Sequence, residues 1–407
     1  MQEHSRYSVG IDVGTYKTRC VVAHLDGENL PKIIGVGEAL TSGMRKGTVV
    51  SLDGPAKAID EALGEAERMS GYQVNEATIS INGNNILSTH TSGMIAVGSA
   101  DHFITSEDLI RIEEVATLGK IPANREILDV VPHSYILDGQ NNIKNPLGMN
   151  GSRLELDANV ISILAPDLHN LTKAADAAKV HPKNIVVSGI AAARAVLSDA
   201  QKENGVALID IGGSTTNIAI YEEGDLRFVS VLSVGGSNIT NDLAIGLKTD
   251  PEVAEKVKLM HGSALIRREH TGVSIKHEGG IENFDSREID EIIEARLEEI
   301  FNAILKEFKR AGMFGKLPSG VVITGGTARL PHIAEFAKEH LGVAAKVAEI
   351  KGFTGVVDGL EKPEYATVIG LMLTDTEGQL SSANPKQKKS LGTGSFSVGK
   401  FLKKFKV

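Results

Sequence analysis

Asp12 and Asp210, 198 residues apart, each end an apolar strand pattern and open a turn of small and hydroxyl residues. The first turn carries Gly14, Thr15, Lys17 and Thr18; the second carries Gly212, Gly213, Ser214, Thr215 and Thr216. Glycine removes the Cβ, so backbone N–H groups can approach an anion, and the short hydroxyls add donors. A carboxylate at such a strand end needs a cation or water to face. Together these residues suit phosphate: the tips clamp it, Lys17 adds a point charge, and Asp12 and Asp210 hold Mg through water. One copy alone would read as a hairpin turn, which Gly, Ser and Thr favour anyway. Two strand–DxG–strand copies point to a duplicated fold with two phosphate loops facing one cleft.

Further candidates share this logic. Gly235 and Gly236 follow a strand and open a helix, where free N–H groups and the helix dipole favour anions. Val321 to Thr324 leads into Gly325, Gly326, Thr327 and Arg329, a second glycine pair placed to border a nucleoside. Glu255 and Lys258 lie at i, i+3 on one helix face; they read as a surface ion pair, or as groups near a ribose and a base. Arg296 falls inside the apolar stripe of a long helix. It either snorkels or waits at a groove for a carboxylate partner. No HExxH, cysteine cluster or Ser-His-Asp order is present, so a metalloprotease or a hydrolase triad has no support.

The elements that must position these groups alternate short strands with helices, which indicates an α/β protein. The 407 residues exceed one core, so several domains are expected. A helix is expected from Asp53 as N-cap to Gly71, with Ile59, Ala62, Leu63, Ala66 and Met69 on its apolar face. Residues 84–160 break the rhythm as a small α+β insertion, with a capping box at Thr105 and Asp108. The small-residue helices Gly189 to Ser198 and Tyr365 to Leu373 are expected to cross between the two halves. The apolar stripe of a long helix runs from Ile289 to Phe308 behind a cap at Asp285 or Ser286. The one cysteine, Cys20, excludes a disulfide framework and fits a reducing cytosol. Met1 to Tyr7 is too polar for a signal peptide, and no run approaches a membrane span.

Charge is uneven. The net charge is −9, yet residues 385–407 hold seven lysines and no acid. Residues 376–395 read as a flexible linker. Beyond them Val398, Phe401, Leu402 and Phe405 fall at i, i+3, i+4, i+7, opposite Lys400, Lys403, Lys404 and Lys406. That pattern describes a helix lying in an anionic membrane surface. A basic tail, a nucleic-acid arm and a protein-docking helix share parts of it.

Five segments in order resemble the actin, Hsp70 and sugar-kinase ATPase superfamily: phosphate 1 (Asp12 to Thr18), connect 1 (Gly189 to Ser198), phosphate 2 (Asp210 to Thr216), adenosine (Ile323 to Leu330) and connect 2 (Tyr365 to Leu373). Within it the chain resembles the FtsA family of bacterial cell-division proteins. Asp138-Gly139-Gln140, the run Asn145-Pro146-Leu147-Gly148-Met149-Asn150-Gly151-Ser152-Arg153-Leu154-Glu155, Gly235 to Ala244, and Ala254-Glu255 with Lys258 carry this resemblance.

The resemblance implies an actin-like, two-domain, duplicated ribonuclease-H-like fold. Domain 1A would take residues 1–83 and 161–200, and the 1C insertion 84–160. Domain 2A would take 201–246 and 320–375, and 2B 247–319. A linker (376–395) and a terminal amphipathic helix (396–407) would follow. It further implies ATP and Mg as cofactors, polymerisation with other copies, and binding of the FtsZ C-terminal peptide, with Arg296 taking part. Recruitment of later division proteins and attachment to the cytoplasmic face of the membrane at the division site complete the expectation, with no nucleic acid as partner. Ser188-Gly189 stand where relatives in the superfamily place a water-orienting Glu or Gln, so at most slow hydrolysis is expected. A small-molecule phosphotransferase is the alternative; no acceptor-activating aspartate motif accompanies it.

Overall fold

The computed structural model describes residues 6–26, 30–99, 101–355 and 359–383. The membrane-helix residues Val398 to Lys406 lie outside them. Among the described residues no helix is long and apolar enough to cross a membrane.

The first half opens with β1 (Arg6–Val13), β2 (Lys17–Leu25) and β3 (Lys32–Leu40), then a short hairpin, β4 (Met44–Arg45) and β5 (Thr48–Val49). Helix α1 (Asp53–Ser70) and β6 (Glu76–Ile81) follow. After the insertion come α3 (Ala165–Ala177), β11 (His181–Val187), α4 (Ser188–Val196) and α5 (Asp199–Asn204). The second half holds β12 (Val206–Ile211), β13 (Thr216–Glu222), β14 (Asp225–Leu232), β17 (Val321–Thr324) and β18 (Ala345–Val347). Its helices are α6 (Gly236–Gly246), α7 (Pro251–His261), α8 (Ser286–Arg310), α9 (Ile333–Leu341) and α10 (Ala366–Ala383). The hairpin β15 (Gly272–His277) and β16 (Gly280–Asp285) stands apart from the main sheet.

The duplication is visible in the sheets. One has the order β3-β2-β1-β6-β11 and the other β14-β13-β12-β17-β18. In each, three antiparallel strands precede two parallel ones. Asp12 pairs with Arg19 across β1 and β2, and Asp210 with Asn217 across β12 and β13, so the 198-residue offset holds in the register. These central strands are apolar on both faces, as expected where helices cover the sheet.

The insertion is a four-stranded antiparallel sheet, β7 (Leu87–Ala96), β10 (Arg153–Leu164), β8 (Arg125–Leu137) and β9 (Gln140–Ile143), covered by α2 (Ser106–Thr117). Thr105 and Asp108 form both bonds of the expected capping box. The Asp138-Gly139 turn joins β8 to β9 with positive φ at both residues. Asp285 caps α8 by accepting from the Arg287 amide at 2.8 Å.

Helices α4 and α10 cross where a Cβ on Gly370 would stand 1.7 Å from the Ala191 carbonyl oxygen. Glycine is required there because the two backbones touch.

Four expectations are corrected. Asp53 lies in the first turn of α1, and Leu52 takes the cap position with no side-chain bond, while Met69, expected on the apolar face, is exposed. Helix α5 was not foreseen; Ser198 and Gln201 cap it reciprocally. Connect 2 does not end near Thr374, because α10 runs on to Ala383. Residues 376–383, read as linker, continue the helix, whose last turns have buried partners; residues 384–395 lie outside the described residues. Asp375 accepts from the Val9 amide at 3.0 Å and from Lys183 at 2.7 Å, and the Thr376 hydroxyl donates to Ser8 at 2.9 Å.

Candidate nucleotide site

β1 and β12 carry Asp12 and Asp210 to the ends of parallel-flanked strands, and the two halves turn these ends toward each other. Asp210 is 7% exposed. Burial, and then the charge of Asp12, lift its carboxyl to about 7. Burial also raises Asp12, against a hydrogen bond from Ser80 and the charge of Arg19. The Ser80 hydroxyl donates to Asp12 at 2.8 Å and accepts from the Val13 amide at 2.9 Å. Asn217 donates to Asp210 at 3.1 Å, while its own Oδ1, buried, has no partner.

Two carboxylates and an orphaned amide oxygen form a cation-friendly donor set. Among the described residues no cluster of three or more His, Cys, Asp or Glu is placed to hold a metal. The set therefore fits a cation that keeps much of its water, as Mg²⁺ does.

The two loops meet directly. The Ser214 amide donates to Thr15 Oγ1 at 3.2 Å, and a Cβ on Gly213 would lie 3.2 Å from that of Tyr16. Asn82, at the end of β6, donates to Thr215 Oγ1 at 3.1 Å. Thr18 and Thr216 are buried beneath the tips, Thr18 bonded to Thr41 and Thr216 to the Val234 carbonyl. Gly325 adopts φ +87°, and a Cβ there would sit 2.5 Å from Asp210 Oδ1. The adenosine segment thus packs on the phosphate 2 aspartate. Gly14 and Gly212 each lie close to the carbonyl that closes their own hairpin.

Several expected site residues have protein partners instead of open faces. Lys17 is paired with Glu38 at 2.6 Å, so it is not a free point charge. Glu38 also takes Arg19 at 2.8 Å and the Tyr365 hydroxyl at 2.6 Å, and Arg19 lies over the Tyr365 ring. These partners outweigh its desolvation and hold the Glu38 carboxyl down at about 2. The amides of Gly236 and Ser237 donate to the carbonyls of Gly212 and Gly213 at 2.9 and 2.7 Å. The α6 start therefore braces the phosphate 2 loop, and those two amides are not open to an anion.

Glu255 and Lys258 are paired at 2.6 Å, and they are no loose surface pair. Lys258 reaches the Gly236 carbonyl at 3.1 Å and the Thr240 hydroxyl at 2.7 Å, so the pair braces the same corner. Thr327 donates to the Gly212 carbonyl at 3.3 Å. Gly326 has open space where a Cβ would stand. The segment Gly326–Arg329 is a 3₁₀ turn, not the start of an α-helix, and Arg329 pairs with Glu364 at 3.0 Å.

Arg296 grips Asp242 through Nε and at 2.8 Å through its second nitrogen, and reaches Glu299 at 2.6 Å. Its carboxylate partner in this structure is internal. Arg19, Glu38, Ser80, Asn82, Asn217 and Tyr365 were missed as site residues. The 198-residue offset could have flagged Arg19 and Asn217 as register partners of the two aspartates; the others are joined only in space.

The comparisons with known proteins agree with this architecture. The family model for cell division protein FtsA matches residues 207–370, and that for the SHS2 domain inserted in FtsA matches residues 83–162. Cell division protein FtsA of Bacillus subtilis is 37% identical over 368 residues, 89% of this chain and 82% of that protein. The Pseudomonas aeruginosa protein of the same name is 31% identical over 91% of this chain and 89% of its own length. Among solved structures, a PilM–PilN type IV pilus biogenesis complex superposes with TM-score 0.66 at 17% identity. It covers 90% of this chain and 98% of the matched one. MreB5 of Spiroplasma citri bound to ADP does so with TM-score 0.56 at 13% identity, covering 93% of this chain and 98% of its own. A chain of the MamK double helical filament gives 0.51 at 15%, over 91% and 99%. At these identities the structural matches establish the fold, which is actin-like with an SHS2 insertion.

Proposed function

This chain belongs to the FtsA family of cell-division proteins, and from that premise we propose that it is an ATP-binding scaffold, assembling with its own copies and joining FtsZ to the membrane. The actin-like cell-division role comes with the family. The nucleotide, the peptide and the membrane are the proposal.

The observation that carries it is the facing pair of DxG loops, with Asp12 and Asp210 beside the unpartnered oxygen of Asn217. Asp12, Asp210 and Asn217 would hold Mg²⁺, which neutralises phosphate charge when bound. Thr15, Ser214 and Thr215 would donate to phosphate oxygens, exchanging the bonds they now make across the cleft. Gly325, Gly326 and Thr327 would border the nucleoside, with the Glu255–Lys258 brace behind. Ser188 donates to the Ile81 carbonyl at 3.4 Å and offers no basic group to activate water, which supports slow turnover at most. An MreB relative is described as bound to ADP and MamK as a filament, which supports nucleotide binding and self-assembly here. The acidic FtsZ tail would dock at Arg296, competing with Asp242. Residues 396–407 would lie on the cytoplasmic face of the membrane.

Two measurements test this. Calorimetry with ATP and Mg²⁺ should show binding by the full chain and none by Asp210→Ala; equal binding by both sinks the site. Co-sedimentation with anionic vesicles should capture the full chain and not a 1–390 truncation; equal pelleting removes the anchor.

A further inference from the structure

The insertion lies in the chain between β6 and α3 of the first half, yet its sheet also rests on the second half. Along β10, Leu154, Leu156, Ala158 and Val160 join the core beneath α2, so Glu155, Asp157 and Asn159 take the opposite face. Asn159 is 6% exposed, and its amide nitrogen donates to the Arg227 carbonyl of β14. β14 is an edge strand of the second sheet, and β7, β8 and β10 cover it.

Lys144, just after β9, makes the second tie. Its ammonium donates to the Asp225 carboxylate at 2.5 Å and to the carbonyls of Glu223 and His133, both at 3.3 Å. Asp225 and Glu223 belong to the second half and His133 to β8 of the insertion, so one side chain with all three donors engaged joins the two. A lone surface ion pair contributes little, but here backbone acceptors and the buried Asn159 contact extend it into a network. Glu222 pairs with Asp225 and Thr216 with Leu232, so Asp225 lies at the end of the second sheet remote from the phosphate loop.

The base of the insertion is fastened to the first half. Asn85, on the way in, donates to Asp167 of α3 at 2.8 Å. The Ala165 amide, on the way out, donates to the Asn124 carbonyl at 3.0 Å. Arg125 clasps both connections through the Asn85 carbonyl and the Ser162 hydroxyl.

We propose that the insertion is a strut that sets the angle between the two halves, with Lys144 and Asn159 as its grip on β14. The halves touch at the cleft through Thr15 with Ser214 and Asn82 with Thr215, and the strut joins them at the remote end. Without the Lys144 grip that end is free to swing, and the halves sample a wider range of angles.

Spin-label distance measurements on the nucleotide-free full chain test this. Cys20 is buried, so labels go to introduced cysteines. Met69→Cys on α1 with Ile245→Cys on α6 reads one half against the other; Ile245→Cys with Phe314→Cys is a control within the second half, all three positions being exposed. The first pair should give one narrow distance peak. Lys144→Ala and Asp225→Asn should each raise the population outside that peak about five-fold, the loss of a pair held in a network, and leave the control unchanged. A Lys144→Ala distribution equal to that of the wild type overturns the strut. Should Lys144→Ala broaden the control as well, Asp225→Asn decides, and an unaltered distribution in it overturns the proposal.

Discussion

Asp12 and Asp210 stand in each other's field across the two halves of the molecule, and the charge of Asp12 is, after burial, the largest contribution raising Asp210. A facing acid pair costs stability when no cation lies between its members. In the nucleotide-free chain the folded state holds the Asp210 proton more tightly than the unfolded state does. Stability should therefore fall as pH rises from about 4 to 7, by at most ~1.4 kcal/mol per unit for one proton, and then level off. Denaturant midpoints at pH 5 to 8 measure this. Asp210→Asn should flatten the profile, and ATP with Mg²⁺ should flatten it in the wild type; identical slopes for wild type and variant would contradict the pairing.

Glu38 behaves with the opposite sign. Lys17, Tyr365 and Arg19 hold its carboxyl at about 2, below its ordinary value. Its contribution is present above about pH 4.5 and is lost as pH falls toward 2. Glu38→Gln should cost about 1–3 kcal/mol near neutrality, since Arg19 and Lys17 lose their partner. Glu38 is 24% exposed, so the lower end is expected. Thermal melts at pH 7 and pH 3 check it: the gap between wild type and variant should shrink at the lower pH.

Arg296 is bound to Asp242 in two places. If an acidic FtsZ tail peptide docks there, it competes with that carboxylate. Asp242→Asn should then tighten peptide binding several-fold, and Arg296→Glu should weaken it by at least ~10-fold, the effect of a lost charged bond. Fluorescence titration of the peptide reads both. Affinities that move with neither variant exclude Arg296 from the docking site.

Helix α10 holds two glycines with opposite surroundings. Gly370 touches Ala191, whereas a Cβ on Gly378 meets nothing within 4 Å. Gly370→Ala should therefore lower stability by at least ~3 kcal/mol, because two helices must part. Gly378→Ala should be neutral or add about 0.5–1 kcal/mol through helix propensity. Urea unfolding of the two variants separates a crossing-point glycine from an ordinary one.

Local pattern and internal repetition were legible without coordinates. The DxG hairpins, the Thr105–Asp108 box, the Asp285 cap and the α8 stripe are set by chemistry within a few residues, where spacing fixes neighbours. The 198-residue offset, carried one step further, would also have matched the register pair Asp12–Arg19 with Asp210–Asn217, which the structure shows. What escaped depends on chain segments that meet only after folding. Glu38 takes donors from β2 and from Tyr365, 327 positions away, so Lys17 turns to it. The α6 amides look open to an anion in sequence, yet the carbonyls of Gly212 and Gly213 reach them first. Thr376 and the residues after it read as linker because the partners that hold the end of α10, Ser8 for Thr376 and Lys183 and Val9 for Asp375, lie far back in the chain. The sequence by itself determined which residues could face a phosphate and where the DxG hairpins, the capping box of α2 and the cap of α8 would fall. Only the tertiary structure decided which of their charges are already paired, because an ion pair or a buried amide is satisfied by whichever partner the fold brings within 3 Å.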